Sequence, residues 1–318
     1  MAFAAKNPLI PTRNGVSPSC VVMPSPPKGL QPWATVLDYL SERVPAVSRS
    51  EWQERFARGE VLGEDGHALA DTEAFRSGLR VYYYRYLADE TPVPFEAHIV
   101  FEDDVLLVAD KPHFLPVLPG GRFVQETLLV RLKRKTGIDT LSPVHRIDRE
   151  TAGLVVLSKR PEDRAAYQAL FRDRTVQKRY QAVARHDTSV AFPQTRMSHL
   201  SEDPTQFFRM IERTELPPNS ETHIERLTAN GDHALYGLTP VTGRRHQLRV
   251  HMAGLGLPLL GDQFYPKVAR GSSAEDDFST PLRLLAQGIA FDDPVTGRPR
   301  SFSSGMHLTW PDGSPATA

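Results

Sequence analysis

The segment Val144–Leu157 contains the group best placed to do chemistry, a carboxylate set among arginines. Asp148 has Arg146 two residues before it and Arg149 directly after it, and the apolar sequence Leu154–Leu157 follows. Neighbouring guanidinium groups favour the ionised form of a carboxyl group. An ionised carboxylate at a strand edge can act as a nucleophile or as a base. The spacing alone favours a structural ion pair over a catalytic group, so both interpretations stay open here.

Polar and apolar side chains alternate from His246 to Met252, which predicts a β-strand. The polar face of this strand would carry Arg245, Gln247, Arg249 and His251. His246 and His251 would then lie on opposite faces, and no carboxylate or cysteine stands nearby in the sequence. This arrangement disfavours a metal site.

The elements around these residues are mostly short strands. Ile99–Phe101 and Val105–Ala109 flank an acidic turn and predict a hairpin. Asn230-Gly231 joins Thr222–Leu227 to Ala234–Leu238, which is a strong signal for a second hairpin. Because strands outnumber helices, we expect an α+β domain on a mixed, largely antiparallel sheet, with helices and loops around it.

Residues 31–88 predict a small α/β module. Thr35 and Ser48 are placed to cap two helices, since their hydroxyl groups can accept hydrogen bonds from free helical N–H groups. Glu51, three residues after Ser48, would complete a capping box. The apolar sequence Leu79–Tyr84 predicts a closing strand.

Four segments follow from these patterns. Residues 1–30 are rich in Pro, Ser and Asn and predict an irregular N-terminal arm. The module occupies 31–88. Prolines in 89–98 indicate a linker, and the larger domain is expected to span 99–318.

Positive charge is concentrated in residues 122–185, where fifteen basic and seven acidic side chains give a net charge of +8. The whole chain is neutral, with 38 basic and 38 acidic side chains, so it does not coat nucleic acid by charge alone. A neutral protein with a basic middle fits a polyanion bound on one face. Aromatic side chains able to stack on bases lie among these charges: Phe123, Tyr167, Phe171 and Tyr180. The basic run Arg131–Lys135 fits a solvated helix face equally well.

Composition excludes other classes of protein. With 40% hydrophobic and 24% charged residues, the chain can bury a core and is not disordered as a whole. Its one cysteine, Cys20, forms neither an intrachain disulfide nor a Cys-rich metal site, which predicts a reducing, cytoplasmic setting. No apolar stretch approaches the roughly 18 residues needed to span a membrane.

The segment Val144–Leu157 closely resembles the catalytic motif of the RluA family of pseudouridine synthases, His-Arg-Leu-Asp-Arg-x-Thr-Ser-Gly. Ile147 replaces Leu, and Ala152 stands where Ser is usual. Further blocks resemble the family in its order along the chain: Lys178–Val183, Gly243–His251, Gly256–Asp262 with Tyr265, and Leu284–Gly297. The resemblance covers about residues 96–305.

The resemblance implies an isomerase that breaks the uracil N1–C1′ bond, turns the base and joins C5 to C1′, with no cofactor, metal or ATP. It implies that Asp148 is the essential carboxylate, either attacking C1′ or C6 or taking the C2′ proton. Tyr180 would stack under the uracil, and Arg249 would pair with Asp148. Arg146 would support the flipped-out nucleotide. The structural alternatives are a core tyrosine at Tyr180 and a surface arginine at Arg146.

The module at 31–88 is similar in layout to the S4 RNA-binding module that precedes the catalytic domain in some family members. Ser48–Ser50, Gly59–Val61 and Gly66 share its outline. Gly63–Asp65 is acidic where a basic residue is usual, so an unrelated cap explains the module equally well.

The implied partner is ribosomal or transfer RNA in a structured stem-loop, bound by a monomer without a membrane or a small-molecule cofactor. A non-catalytic RNA-binding protein that retains the fold is the alternative, and it would not need the intact run His145–Asp148. A glycosidase would need a pair of carboxylates. The resemblance assigns the essential role to a single carboxylate, Asp148.

Overall fold

The computed structural model describes residues 7, 9–27, 29–30, 32–86, 90–269, 271 and 277–317. Parts of the predicted arm, module and linker, at 1–6, 8, 28, 31 and 87–89, lie outside the described residues. The chain divides into two compact units. The first comprises Met1–Glu90, Gly120–Gln125 and Val130–Asp139, and the second comprises Thr91–Pro119, Glu126–Leu129 and Thr140–Ala318. Residues 120–125 and 130–139 therefore group differently from the predicted domain at 99–318.

The first unit is a small sheet with two helices. Its elements are β1 (Ser19–Val22), α1 (Val36–Arg43), α2 (Arg49–Ala57), β2 (Val61–Leu62) and β3 (Arg80–Tyr83). The strands run antiparallel in the order β1-β3-β2. Both predicted caps are present: the hydroxyl of Thr35 accepts the N–H of Asp38 at 3.1 Å, and that of Ser48 accepts the N–H of Glu51 at 3.2 Å. Glu51 itself pairs with Arg55 at 2.5 Å.

The predicted arm is not irregular throughout. Its residues Ser19–Val22 form β1 and pair with β3, with Cys20 opposite Tyr82. Val21 packs against the core of the unit, and Met23 is buried within it. Burial of these apolar side chains, together with the free edge that β3 offers for backbone pairing, explains why a segment rich in turn residues becomes a strand.

The second unit is built on a large sheet. Its strands are β4 (His98–Glu102), β5 (Leu106–Lys111), β6 (Ser142–Pro143), β7 (Ala152–Ser158), β8 (Gln177–Arg185), β9 (Gln194–Ser198), β12 (Ser220–Asn230), β13 (His233–Pro240), β14 (Leu284–Asp292) and β15 (Pro299–Ser303). The order is β4-β5-β7-β14-β8-β13-β12-β9, with β15 beside β14 and β6 beside β7. Among the described strands, β7 and β14 form the one parallel pair.

The remaining elements are few. They are α3 (Leu128–Thr136), a 3₁₀ turn at Pro161–Asp163, α4 (Arg164–Arg172), α5 (Gln247–Gly254) and the separate hairpin of β10 (Leu200–Glu202) and β11 (Met210–Glu212). The α+β class and the largely antiparallel sheet are thus confirmed. Both predicted hairpins are present, as β4–β5 and β12–β13. Within the part of the chain that the structure describes, no helix is long and apolar enough to cross a membrane.

The strand predicted at His246–Met252 is wrong, because these residues enter helix α5. Contacts repeat every four residues rather than every two: Gln247 and His251 both bond the Thr222 hydroxyl, while Leu248 and Met252 share one core cluster. The helix is buried on several sides, so polar groups point inward as well as apolar ones. A short alternating pattern cannot distinguish such a helix from a strand.

Candidate active site

Asp148 lies in the loop between β6 and β7, and two features hold this loop. The N–H of Thr151 donates to the Asp148 carbonyl at 3.2 Å. Gly153, at the start of β7, has φ +109° and pairs with Ala286 of β14. A Cβ atom on Gly153 would lie 2.3 Å from the Ala286 carbonyl oxygen. The close approach of the parallel strands therefore requires glycine directly after the loop.

A pocket of about 100 Å³ opens beside this loop. All four predicted site residues line it: Arg146, Asp148, Tyr180 and Arg249. They come from three separate parts of the chain, namely the β6–β7 loop, strand β8 and helix α5. The fold thus brings together residues that are about one hundred positions apart in the sequence.

Arg249 is fully buried and is anchored chiefly by Asp262. Its Nε and Nη2 atoms donate to the two carboxylate oxygens of Asp262 at 2.8 and 2.7 Å, which is the bidentate geometry of a strong pair. Its Nη1 lies 3.9 Å from Oδ2 of Asp148, beyond hydrogen-bond distance. The predicted pairing of Arg249 with Asp148 is therefore an electrostatic contact, and the direct hydrogen bonds go to Asp262.

The surroundings of Asp148 act on its charge in opposite directions. Burial raises the pKa of its carboxyl group, although 27% of the side chain is exposed toward the pocket. The positive charges of Arg249, Arg245, Lys111 and Arg146 lower the pKa of Asp148. The balance is a raised pKa, so the carboxylate is more basic than an exposed aspartate and still faces several cations.

Lys111, at the end of β5, is a site residue that the sequence analysis missed. It is completely buried, and its Nζ donates to the carbonyls of Pro112 at 2.9 Å and Arg149 at 3.1 Å. Burial lowers the pKa of Lys111 to about 7, against the opposing effect of Glu150 and Asp148. The hydrogen bond from Lys111 to the Arg149 carbonyl fixes the backbone directly after Asp148. The only signal in the sequence was a lysine ending an apolar strand.

Tyr180 projects from β8, where it pairs with Leu238 of β13, and it packs against the central core cluster. Burial, and then the charge of Asp148, raise the pKa of the phenol above its ordinary value. The hydroxyl group therefore stays protonated. The sequence left two interpretations of Tyr180, a core tyrosine and a pocket residue. Both apply, since Tyr180 packs against the core and also lines the pocket.

Arg146 is exposed, whereas its neighbour His145 is tightly held. The Nε2 atom of His145 accepts the N–H of Val156 at 3.0 Å, and the ring stacks on Phe171 with centroids 4.4 Å apart. Burial, with Lys178 nearby, lowers the pKa of His145 to about 3. His145 is therefore neutral, and its contacts with Val156 and Phe171 fix the loop that carries Arg146.

His246 and His251 are engaged by hydroxyl groups. Nδ1 of His246 bonds the Tyr265 hydroxyl at 2.9 Å. The nitrogens of His251 bond three hydroxyl groups, those of Thr222, Ser198 and Ser220. Over the described ranges, no group of three His, Cys, Asp or Glu side chains is arranged to hold a metal ion.

The basic run on α3 is only partly solvated. Lys133 is buried, and its Nζ bonds the hydroxyl of Ser17 at 2.9 Å, whereas Arg134 bonds Gln125 at the surface. The alternative of a solvated helix face therefore does not hold at Lys133. This run belongs to the first unit, while Asp148 and its pocket belong to the second. The positive charge of residues 122–185 is consequently divided between the units.

Comparisons with known proteins identify the family. The model of the RNA pseudouridylate synthase family covers residues 105–254. The chain is 31% identical over 246 residues to an uncharacterized RNA pseudouridine synthase of Synechocystis sp., across 72% of this chain and 79% of that protein. It is 34% identical over 220 residues to the dual-specificity RNA pseudouridine synthase RluA of Pasteurella multocida, across 65% of this chain and 91% of that protein.

The fold has a solved counterpart. The structure of Human RNA Pseudouridylate Synthase Domain Containing 1 superposes with a TM-score of 0.56 at 23% identity, over 70% of this chain and 89% of that one. The sequence identity to RluA and the shared fold agree with the motif around Asp148. The chain therefore belongs to the RluA family of RNA pseudouridine synthases, which are isomerases that act on RNA.

Proposed function

We propose that this enzyme converts specific uridines to pseudouridine in ribosomal RNA, transfer RNA or both, with Asp148 as the essential carboxylate. The observation that carries the proposal is the position of Asp148 in the pocket, with its Oδ2 facing the buried guanidinium of Arg249 at 3.9 Å. Burial makes the carboxylate more basic, and the surrounding cations favour its ionised form. Both properties suit a nucleophile or a base.

The reaction balances within the substrate and water. The N1–C1′ bond breaks, the uracil turns, a C5–C1′ bond forms, and the proton on C5 is released while N1 gains one. Asp148 has two roles compatible with its position: it attacks C1′ or C6, or it takes the C2′ proton to give a glycal. Each role needs an ionised carboxylate at the start of the reaction.

We assign supporting roles to two other pocket residues. The ring of Tyr180 would stack under the uracil, and its protonated hydroxyl group could assist proton transfer at C5. Arg146 is exposed at the pocket and would hold a phosphate or enter the RNA stack while the target nucleotide is flipped out.

We further propose that the enzyme is located in the cytoplasm and acts as a monomer.

The test is tritium release from RNA that contains 5-tritiated uridine, with purified Asp148→Asn compared with the wild type. We expect no release by the variant while RNA binding survives. Asp104→Asn, which alters an exposed turn carboxylate, is the control and should be fully active. Turnover by Asp148→Asn would contradict the proposal, and an inactive wild type on total RNA would favour the non-catalytic alternative.

The same assay is run in EDTA without added nucleotide, where we expect full activity. Activity that is lost with the chelator and restored by zinc or magnesium would contradict the proposed cofactor-free reaction, provided that the RNA substrate keeps its fold in EDTA. The RNA target is identified by mapping pseudouridines in total RNA with and without the protein.

A further inference from the structure

One nitrogen of the Arg249 guanidinium donates no hydrogen bond. The Nε and Nη2 atoms are bonded to Asp262, but Nη1 is buried and has no hydrogen-bond partner in the described part of the chain. Two carboxylate oxygens lie near Nη1, Oε2 of Glu150 at 3.6 Å and Oδ2 of Asp148 at 3.9 Å. The Nη1 end of Arg249 is thus close to two carboxylates that are two residues apart in the same loop.

Glu150 is held in this position from several directions. Its side chain is only 17% exposed, and its Oε1 lies 3.7 Å from Nη1 of Arg149. Nδ1 of His113 donates to the Glu150 carbonyl at 2.7 Å, and Lys111 bonds the carbonyl of the preceding residue at 3.1 Å. The backbone of Glu150 is therefore held by hydrogen bonds, and its largely buried carboxylate lies near the guanidinium groups of Arg149 and Arg249.

The charge on Asp148 changes during the proposed reaction, and the charge on Arg249 does not. Whether Asp148 forms a bond to carbon or takes a proton, its carboxylate becomes neutral. A buried guanidinium that loses a facing anion is destabilised unless another anion remains near it. Asp262 stays bonded to Nε and Nη2 in that state, and Glu150 supplies the remaining anion near Nη1, at a slightly shorter distance than Asp148 does.

We propose that Glu150 is a positioning residue that holds Nη1 of Arg249 at the pocket and shares that cation with Asp148. This inference rests on the proposed role of Asp148. Because Arg249 is shared, Asp148 is less strongly stabilised as an anion than in an exclusive pair, and it remains reactive. When Asp148 is neutral in the intermediate, Glu150 keeps Arg249 in place for the return of the charge.

The test uses Glu150→Gln, which keeps the shape of the side chain and removes its charge. Of the two carboxylates near Nη1 of Arg249, Asp148 alone would then remain charged, and the loss of a neighbouring negative charge stabilises the Asp148 carboxylate and lowers its pKa. The acid limb of kcat/KM against pH should move to lower pH by about 1 unit, the low end of the shifts that a neighbouring charge within about 4–6 Å produces, because a like charge has been removed. The kcat value should fall several-fold with KM unchanged, because a less basic carboxylate is less reactive.

The other charged or titratable groups around Asp148, Glu150 and the pocket enter this profile as well. They are Arg146 and Arg149 on the loop, Lys111 on β5, His113 after it, Lys178 and Tyr180 on β8, Arg245, His246 and Arg249 around α5, and Asp262 bonded to Arg249. Glu102, at the end of β4, lies outside the pocket lining and pairs with Lys159 at 2.9 Å. Glu102→Gln removes this carboxylate and should leave the profile unchanged. Glu150→Asp keeps the charge and should keep the acid limb near that of the wild type.

Two results would overturn the proposal. The first is a Glu150→Gln enzyme with the wild-type pH profile and kcat. The second is a Glu150→Asp enzyme whose acid limb moves together with that of Glu150→Gln, because charge would then not be the cause. An active Asp148→Asn enzyme would instead refute the proposed function, so the two failures are distinguishable. Thermal melting of each variant verifies that folding is retained.

Discussion

A charged side chain can be completely buried in this protein when its partners are fixed. Arg249 is 1% exposed, and Asp262, which binds it through two hydrogen bonds, is itself fully buried. Asp262 also accepts the N–H groups of Phe264 and Tyr265 at 2.9 and 3.1 Å. Its carboxylate is therefore held by the backbone, and the position of Arg249 in the pocket follows from it.

Replacing Asp262 with Asn should destabilise the fold by about 3 kcal/mol or more, because the charge of Arg249 then stays buried without a full partner. Urea unfolding followed by circular dichroism measures this change. The matched control is Asp173→Asn, which disrupts an exposed pair with Arg172 at 2.8 Å. Water already screens that pair, so its removal should leave stability unchanged. Equal losses in the two variants would contradict the argument.

At the scale of elements, the parallel pairing of β7 with β14 fixes the position of the loop that carries Asp148. These strands run parallel inside an otherwise antiparallel arrangement among the described strands, and their contact is made at Gly153 and Ala286. The same part of β14 pairs with β8, which carries Tyr180. One strand therefore sets the relative position of two pocket residues.

Gly153→Ala should displace β7 from β14 and abolish activity, because the new Cβ would lie 2.3 Å from the Ala286 carbonyl oxygen. Gly231→Ala is the matched control: this glycine also has positive φ, +57°, but nothing lies within 4 Å of its Cβ position. The control variant should lose only about 1–2 kcal/mol, the cost of left-handed backbone for alanine. Thermal melting and tritium release separate the two effects, and similar behaviour of both variants would contradict the close-contact explanation.

At the scale of the whole molecule, several histidines are buried in the neutral form. Burial lowers the pKa of His145 and His246 to about 3, and that of His113 and His251 to about 4. An unfolded histidine has a pKa near 6.5. The unfolded chain therefore binds protons first as the pH falls, and this favours unfolding.

The contribution of these histidines to stability should accordingly be complete above about pH 6.5 and should decrease toward pH 4, with each such histidine contributing up to about 1.4 kcal/mol per pH unit. Urea unfolding at pH 7.5 and 5.5 measures the slope. His251→Gln should reduce the slope, whereas His67→Asn, at a side chain that is 85% exposed, should not. Unfolding free energies that are equal at both pH values in the wild type would contradict the prediction.

RNA affinity should depend strongly on salt although the chain is neutral overall. Each phosphate contact on single-stranded RNA contributes a slope of about −0.7 in a plot of log affinity against log salt, so roughly four to six contacts give a slope of about −3 to −4. Affinity that barely changes between low and moderate salt would contradict a basic binding face.

Arg146→Ala should lower turnover more than RNA affinity, since the proposed role of Arg146 is to hold the flipped-out nucleotide.

Reversal of Arg134 and Lys135 to Glu tests whether the α3 run contacts RNA. Lys133 must be kept, because its Nζ is bonded to Ser17 inside the first unit and its reversal would disturb folding. Two lost contacts would flatten the salt slope by about 1.4, whereas an unchanged slope identifies a face that only meets solvent.

The sequence by itself determined the family, the α+β class, both hairpins and the helix caps at Thr35 and Ser48. These features are local: a cap or a turn is set by residues within a few positions, and the motif around Asp148 is contiguous. The same information identified Asp148, Tyr180, Arg146 and Arg249 as candidates for one site.

Only the tertiary structure decided which groups surround those candidates. Helix α5 resembled a strand because burial on several sides removed the usual amphipathic signal. Contacts between segments far apart in the chain placed Lys111 beside the Asp148 loop and Glu150 near Arg249, and Asp262, 13 residues after Arg249, became its direct partner. Coulombic attraction and desolvation depend on distance and burial in three dimensions, and a sequence pattern contains neither quantity.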